Sequence, residues 1–201
     1  MRKGGIHTKP LALPTGYTKL AYIQSSGTQY VDTGFKPNQD TRTILDFDIY
    51  TYSAAGYVFG CRDGGSEGYN NRYGLMYNGT FRTDYGNGNG LTFSEALVHG
   101  DRHLIDKNKA VCTLDNERLT NTSTTFQSLY NMALFGIIEG GSAIYLMSVR
   151  VYSCQIYDNG TLIRDFVPCI KDDGTVGLYD LVTQAFFGNA GTGVFTGSEV
   201  A

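Results

Sequence analysis

The stretch AIYLMSVRVYSCQIYDNGTLIRDFVPC, from Ala143 to Cys169, decides the fold class of this chain. Asn159 and Gly160 near its centre are typical of a two-residue type I′ turn, in which both central residues need a positive φ. Residues with a high β-propensity fill both flanks of this dipeptide. The stretch therefore predicts a β-hairpin whose turn sets Asp158 opposite Thr161.

The first strand of this hairpin carries its apolar side chains on both parities. One set contains Met147, Val149 and Val151, and the other contains Cys154 and Ile156. Successive side chains of a regular strand point to opposite faces, so a regular strand cannot bury both sets on one face. A β-bulge near Tyr152 and Ser153 is therefore predicted, because it would turn both sets toward the core.

The cysteines predict buried free thiols. The chain has four of them, far apart and without a C-x-x-C pair that would indicate zinc or redox chemistry. The hairpin register places Cys154 near Asp165 rather than near Cys169, which disfavours a disulfide across the hairpin. Pro168 has no N–H to donate, so we expect it at the end of the second strand or at a sheet edge.

Composition and turn signals extend the β assignment to the whole chain. The 201 residues include 26 Gly, 15 Tyr and 11 Phe but only 4 Pro and no Trp, which favours aromatic-bearing strands joined by tight turns. The segment TRTILDFDIYTY (41–52) alternates polar and apolar residues and predicts a half-buried strand. Further turn dipeptides are Asn78-Gly79, Asn87-Gly88, Asn89-Gly90 and Asp173-Gly174. We therefore expect an all-β protein, an antiparallel β-sandwich.

The chain is predicted to contain one domain behind a short arm. Residues 1–14 mix Gly, Lys, Arg and Pro with little periodicity and predict an extended N-terminal arm. A frayed end and an arm that docks on a partner both fit this segment. Residues 15–201 predict the sandwich domain, a length that a single all-β domain commonly has.

Charge and hydropathy exclude two classes of partner. The formal net charge of −3 provides no broad basic field, so nucleic acid is not an expected partner. No segment approaches the roughly 20 apolar residues of a membrane span, so membrane insertion is not expected. The N-terminus has no continuous apolar core of a secretory signal, which predicts synthesis and assembly in the cytoplasm.

Asp46 and Asp48 are the strongest candidates for a catalytic pair. They lie two residues apart on one strand face, which roughly meets the separation of about 5 Å between the two carboxyls of a retaining glycosidase. Sandwich glucanases carry a third acid on this strand, whereas the flanking residues here are Ile44 and Tyr50. A solvated strand face is therefore the favoured interpretation, and no catalytic residue is predicted.

A cluster of four titratable residues would suit a metal ion if it lay on a helix. Its members are His99, Asp101, His103 and Asp106. Imidazole and carboxylate both bind zinc, but the following segment KAVCTLD (109–115) favours a strand, on which this spacing does not bring the side chains together. No metal and no cofactor are predicted, and the chain is expected not to be an enzyme.

Residues 56–90 interleave tyrosines with arginines and carboxylates. Sugars offer apolar ring faces and a rim of hydroxyl groups, which aromatic rings, guanidinium groups and carboxylates bind. Tyrosine is also an ordinary sheet residue, so structural packing stays open as the alternative. The candidate ligand-binding residues are Tyr57, Arg62, Tyr69, Arg72, Tyr73, Tyr77, Arg82 and Tyr85.

Four phrases carry a family resemblance. They are LPTGYTKLAYIQSSGTQYVDTGFKPNQDTR (13–42), HLIDKNKAVCTLDNER (103–118), IYDNGTLIRDFVPC (156–169) and GLYDLVTQAFFGNAGTGVF (177–195). Together they resemble concanavalin A-like (laminin-G-like) domains of gut bacteria and their phages, which often occur in virion-surface components. The resemblance covers almost all of residues 13–197 and implies a jelly roll used for glycan binding or adhesion.

The function implied by this resemblance is that of a non-enzymatic phage virion structural protein. It would be a capsid decoration or a tail or fibre surface module, made in the cytoplasm of the bacterial host and displayed at the virion surface. The arm would anchor it to capsid or tail proteins, its exposed face would hold host or environmental glycans, and assembly as a homo-oligomer is left open. The alternatives are a bacterial carbohydrate-binding adhesin and a glucanase-like glycoside hydrolase.

Overall fold

The computed structural model describes residues 13–51, 55–64, 70–87, 90–94 and 100–199, and these form strands and no helix. The strands of the first half are β1 (Tyr17–Gln24), β2 (Val31–Asp32), β3 (Thr41–Ile49), β4 (Gly56–Arg62), β5 (Arg72–Tyr77), β6 (Phe81–Gly86), β7 (Leu91–Thr92), β8 (Arg102–Asn108) and β9 (Val111–Leu114). The strands of the second half are β10 (Glu117–Thr120), β11 (Ala133–Leu134), β12 (Ile137–Glu139), β13 (Ser142–Ile144), β14 (Val149–Asp158), β15 (Thr161–Lys171), β16 (Val176–Asp180), β17 (Ala185–Phe187) and β18 (Thr196–Glu199).

The strands form two sheets. Sheet I has the order β10-β9-β8-β3-β14-β1-β15-β16-β17, with β18 also paired to β1. Sheet II has the order β13-β12-β4-β5-β6-β7. In addition, β11 pairs with β4, and β2 pairs with β11. Neighbouring strands run antiparallel, apart from the parallel pair β12–β4. These pairings confirm the predicted all-β, antiparallel architecture.

The two sheets pack face to face around one core. Phe47 on sheet I and Phe81 on sheet II lie with ring centroids 5.6 Å apart. The Tyr73 hydroxyl crosses the same interface and lies 3.1 Å from the Thr43 Oγ1 atom. The fold is therefore a β-sandwich, as predicted, while the jelly-roll connectivity stays a prediction.

The central hairpin has the predicted turn. Asn159 has φ +45° and Gly160 has φ +81°, as a type I′ turn requires. Asp158 pairs with Thr161, so β14 and β15 begin in the predicted register. Shorter hairpins are confirmed at Gly79 and Gly174, which both have positive φ.

The predicted β-bulge is also confirmed. The pairing of β14 with β3 shifts register between Val151 and Ser153. The apolar residues of both parities are fully buried, namely Met147, Val149, Val151, Cys154 and Ile156. One extra residue in β14 therefore reconciles the two parities, because the residues on either side of it face the same core.

The predicted partner of Cys154 is wrong by one residue. Cys154 pairs with Phe166 rather than with Asp165, because the β14–β15 ladder shifts again between Ile156 and Tyr157. The conclusion drawn from that register holds, since all four cysteines are buried free thiols. Burial raises the pKa of the Cys61 thiol to about 12 and that of Cys169 to about 11.

The prediction that Pro168 ends a strand or occupies an edge is wrong. Pro168 lies inside β15, a central strand that pairs with β16 on one side. On the other side β15 pairs with β14 up to Phe166 and with β1 from Cys169. The Leu181 N–H donates to the Asp165 carbonyl, so strand alternation turns the Pro168 nitrogen toward this change of neighbours, where no ladder bond is needed.

Two further predictions concern segments at or beyond the described ranges. Residues 1–12, most of the predicted arm, lie outside the described residues, as do Gly88 and Asn89. The division at residue 14 therefore stays a prediction. Among the described residues no helix is long and apolar enough to cross a membrane.

Candidate functional site

The predicted ligand-binding residues divide between the two faces of sheet II. Tyr73 pairs with Cys61 on β4 and with Tyr85 on β6, and all three side chains point into the core. Alternation then directs the neighbouring Arg62 and Arg72 to the outer face. The outer face of β4, β5 and β6 is therefore the part of the fold that brings several of the predicted residues together.

The core tyrosines correct part of the prediction. Tyr73, Tyr77 and Tyr85 are buried within the sandwich, so they present no ring face to a sugar. The hydroxyl of Tyr85 donates to the Gln39 carbonyl at 2.9 Å, and burial raises the pKa of the Tyr73 phenol well above its ordinary value. For these three tyrosines the alternative interpretation, structural packing, is therefore correct. Tyr69 lies outside the described residues.

Tyr57 belongs to the outer face although only 2% of it is exposed. Its ring lies beside Gly60, where an added Cβ would come within 3.3 Å of the Tyr57 Cδ1 atom. Gly60 pairs with Gly74, and Gly74 pairs with Asp84 on β6. Because neither glycine carries a side chain, the Tyr57 hydroxyl crosses the sheet and donates to Asp84 Oδ2 at 2.7 Å.

Asp84 holds an unused acceptor at this site. The side chain is buried, and its Oδ1 atom forms no hydrogen bond with any described residue. The Arg82 Nε atom lies 3.3 Å from Oδ1, close enough for an ion pair. Gly90 packs directly against both groups. Burial, followed by the negative charge of Asp84, raises the pKa of Tyr57, so this phenol keeps its proton and donates.

Arg62 lies between the Tyr57–Asp84 pair and Glu139 on β12. Its Nε donates to Glu139 Oε2 at 2.6 Å, and its Nη1 lies 3.5 Å from the Tyr57 hydroxyl. Its guanidinium carbon lies 5.3 Å from the ring centroid of Tyr145 and 5.8 Å from that of Tyr57. Both distances allow a cation–π contact. Tyr145 is 50% exposed, so it presents an aromatic face to solvent at this position.

We call this group the Arg62 surface. Its members are Tyr57, Arg62, Arg72, Arg82, Asp84, Glu139 and Tyr145. It combines guanidinium groups, two carboxylates and one exposed ring, which suits a hydroxylated ligand with an apolar face. Sequence reasoning missed Glu139 and Tyr145, because both are far from β4 in the sequence. The pairing of β12 with β4 brings in Glu139, and the Tyr57 N–H donates to the Tyr145 carbonyl at 2.9 Å.

Asp46 and Asp48 lie on the outer face of sheet I, on the opposite side of the sandwich. Asp46 accepts two hydrogen bonds of 2.6 Å from the Arg102 guanidinium. Asp48 accepts a hydrogen bond of 2.7 Å from the Tyr152 hydroxyl and has Arg150 at 3.6 Å. The predicted solvated strand face is wrong for Asp48, which is 2% exposed beneath these side chains.

The described titratable residues considered for a metal site do not lie together in the fold. His103 Nδ1 lies 2.6 Å from Asp115 Oδ2, whereas Asp106 is bound by both nitrogens of the Arg42 fork. His103 and Asp106 are three residues apart on β8 and so face opposite sides of the sheet. His99 lies outside the described residues. Within the described ranges, no three His, Cys, Asp or Glu side chains are placed to hold a metal ion.

Comparisons with known proteins leave the family open. No protein-family model matches the chain, and no curated protein is similar to it in sequence. The resemblance to concanavalin A-like domains therefore remains a prediction, which the sandwich architecture fits.

Proposed function

We propose that this protein is a non-enzymatic, glycan-binding sandwich displayed at the surface of a phage virion, as a capsid decoration or a tail or fibre module. The observation that carries the glycan-binding part is the Arg62 surface, where the exposed Tyr145 ring stands beside the Arg62 guanidinium group and its carboxylate partner Glu139. The virion part, the jelly-roll connectivity and the assembly as a homo-oligomer are carried by the family resemblance.

The ligand would use the three kinds of group in different ways. The apolar face of a sugar ring would pack on Tyr145, as sugars do on exposed aromatic rings. Its hydroxyl groups would accept hydrogen bonds from the arginines and donate to Glu139. Three arginines and two carboxylates leave this surface with one net positive charge, so both neutral and acidic glycans suit it.

The non-enzymatic part of the proposal is supported by the acids on sheet I. Asp46 is bound by a bidentate guanidinium group, and Asp48 is covered by Tyr152 and Arg150. A retaining glycosidase needs one carboxyl as general acid and one as nucleophile, both open to the sugar. Neither carboxylate here is open in that way.

Two variants test the glycan-binding part. A glycan array identifies ligands of the intact protein, and titration of the strongest ligand follows. Tyr145→Ala removes the exposed ring and Arg62→Gln removes the guanidinium group, so we expect each to weaken binding by about tenfold or more. Tyr145 is exposed, so its variant should fold normally even if Arg62→Gln loses stability with the Glu139 ion pair.

Arg42→Gln is the matched control for these variants. Arg42 also binds a carboxylate, here Asp106 through a bidentate fork, but it lies on sheet I. This variant should bind as the intact protein does. An array without signal, or unchanged affinity in both test variants, would refute glycan binding at the Arg62 surface.

The virion part has its own experiment. Removing residues 1–12 should leave the sandwich folded, because β1 begins at Tyr17, and should prevent incorporation into particles. Circular dichroism would check the fold, and particle composition would check incorporation. Normal incorporation of the shortened chain would rule out anchoring by the arm, and images of the particle would locate the protein on capsid or tail.

A further inference from the structure

A separate cavity of about 280 Å³ opens beside β12. Its wall contains Tyr30, Asp32, Lys36, Leu129, Tyr130 and Asn131, and Ile138, Gly141 and Ala143 complete it. Ile138 and Glu139 are adjacent on β12, so they point to opposite sides of that strand. Glu139 binds Arg62, which places the cavity and the Arg62 surface on different sides of β12.

The cavity is small for a ligand site. Pockets for drug-sized ligands begin at about 300 Å³, so this one suits a single sugar ring better than a peptide or an extended oligosaccharide. Leu129 is 55% exposed at its rim and, with the two tyrosines, offers apolar surface to one ring face. Asp32, Lys36 and Asn131 form the polar part of the wall, which a site for a hydroxylated ring requires.

Asp32 is held in place as a hydrogen-bond acceptor. Its Oδ1 accepts the Gly34 N–H at 2.8 Å, and its Oδ2 accepts the Asn131 amide at 3.2 Å. An ionised carboxylate has about four acceptor sites, so each oxygen keeps room for a further donor. Because both oxygens are fixed before a ligand arrives, little freedom is lost when ligand hydroxyl groups bind.

Lys36 is the positively charged residue in the wall of the cavity. It forms no ion pair with any described residue, and its side chain is exposed at the cavity wall. The negative charge of Asp32 is already shared by two N–H donors. A ligand with one carboxylate would therefore supply the counter-charge for Lys36, while its hydroxyl groups bind Asp32.

We infer that this cavity binds an acidic monosaccharide unit, a sugar ring that carries one carboxylate such as a hexuronate. The carboxylate pairs with Lys36, the hydroxyl groups donate to Asp32, and a ring face rests on the tyrosines and Leu129. The site does not depend on ligand binding at the Arg62 surface. It gives the protein a second point of contact with an acidic glycan.

Titration with glucuronate and with glucose, followed by amide chemical shifts of the intact chain, tests the site. We expect glucuronate to shift the amides of Asn131 and Gly141 at concentrations of about 1–10 mM, the range of weak single-ring binding. Glucose should bind about tenfold more weakly, because it lacks the charge-assisted contact. Lys36→Met should bring glucuronate to the affinity of glucose, and added salt should do so in part.

Lys19→Met is the matched control, because Lys19 is an exposed lysine on β1 of sheet I. It should leave glucuronate binding unchanged. Equal affinity for glucose and glucuronate, or unchanged binding in Lys36→Met, would overturn the acidic specificity. Shifts confined to Gly60 and Gly74 would place the sugar on the Arg62 surface and overturn the cavity site, while supporting the proposed function. Shifts at Asn131 without any at Gly74 would support the cavity site alone.

Discussion

Lys107 is a lysine in an environment that is unusual for its type. It lies on β8 and is fully buried between the sheets. Its Nζ donates to Thr83 Oγ1 at 2.7 Å and lies 4.9 Å from the ring centroid of Tyr73 and 5.4 Å from that of Tyr85. Burial lowers the pKa of Lys107, and the nearby Cys112 and Asp84 act in the opposite direction. The folded state therefore favours the neutral amine more than the unfolded chain does.

Lys107→Met tests this through the pH dependence of stability. The unfolded chain keeps its proton up to about pH 10.4, whereas folded Lys107 releases it at a lower pH, so this group lowers stability most at low pH. The free energy of unfolding of Lys107→Met, minus that of the intact protein, should therefore fall as the pH rises toward about 10.4. Urea denaturation at several pH values measures this difference.

Comparison within a pair of proteins removes the titrations that Lys107 does not influence, whereas that of Cys112, whose pKa the Lys107 charge lowers, stays in the difference. The raised thiol pKa values of Cys61 and Cys169 affect both proteins equally. Lys109→Met serves as the control, because Lys109 is an exposed lysine that pairs with Asp40 at 2.7 Å. A Lys107→Met difference that does not change with pH would contradict the lowered pKa.

At the scale of single elements, the bulge in β14 sets which side chains of its two halves face the core. Its extra residue allows Val151 and Cys154 to point into the same core. Deleting Ser153 would restore strict alternation and turn either the residues before it or those after it outward. Burial of an aliphatic side chain is worth about 1.5–3 kcal/mol, so we expect a loss of several kcal/mol or failure to fold.

Ser153→Ala separates the bulge from the side chain. Ser153 is exposed, so this change keeps the residue count and should alter the free energy of unfolding by less than about 0.5 kcal/mol. Thermal denaturation followed by circular dichroism compares the two variants. Equal stability of the deletion variant and Ser153→Ala would show that β14 tolerates either register.

At the scale of the whole molecule, the first strand, β1, pairs with the last strand, β18. Phe195, just before β18, lies with its ring centroid 4.9 Å from that of Phe135. Deleting residues 194–201 should lower the melting temperature, because it removes the buried Phe195 and leaves an edge of β1 unpaired. Removal of a buried Phe side chain alone costs about 3–5 kcal/mol.

Val194→Ala is the control for this truncation. Val194 precedes the same strand but is largely exposed, so its change should leave the melting temperature nearly unchanged. Differential scanning calorimetry measures both. If the truncated chain melts with the intact protein, then β18 contributes nothing to the stability of the sandwich.

Much of the fold follows from the sequence, and less of the site does. Asn159-Gly160 and the two parities of β14 predict a turn and a bulge, because both depend on neighbouring residues. Pro168 was placed wrongly, because its missing N–H is tolerated only where the neighbour of β15 changes from β14 to β1. That change is a property of the sheet and leaves no local signal.

The candidate site shows the same limit through its tyrosines. Tyr57 and Tyr73 have the same residue type and lie on neighbouring strands, but the first reaches Asp84 on the outer face and the second enters the core. Tyr145, the exposed ring of the Arg62 surface, is far from both in the sequence. The residue types predicted aromatic rings on this segment, but they did not predict on which face of the sheet each ring lies.

The sequence by itself determined the central hairpin with its turn and bulge, the strand β3 and the all-β class, because alternation and positive φ act between residues close in the chain. Only the tertiary structure decided which tyrosines are buried, that Asp84 keeps an unused acceptor, and that Asp32 and Lys36 share a cavity with Asn131. These features depend on which strands become neighbours. Pairing between distant strands is settled by the packing of the whole sandwich, which no local pattern records.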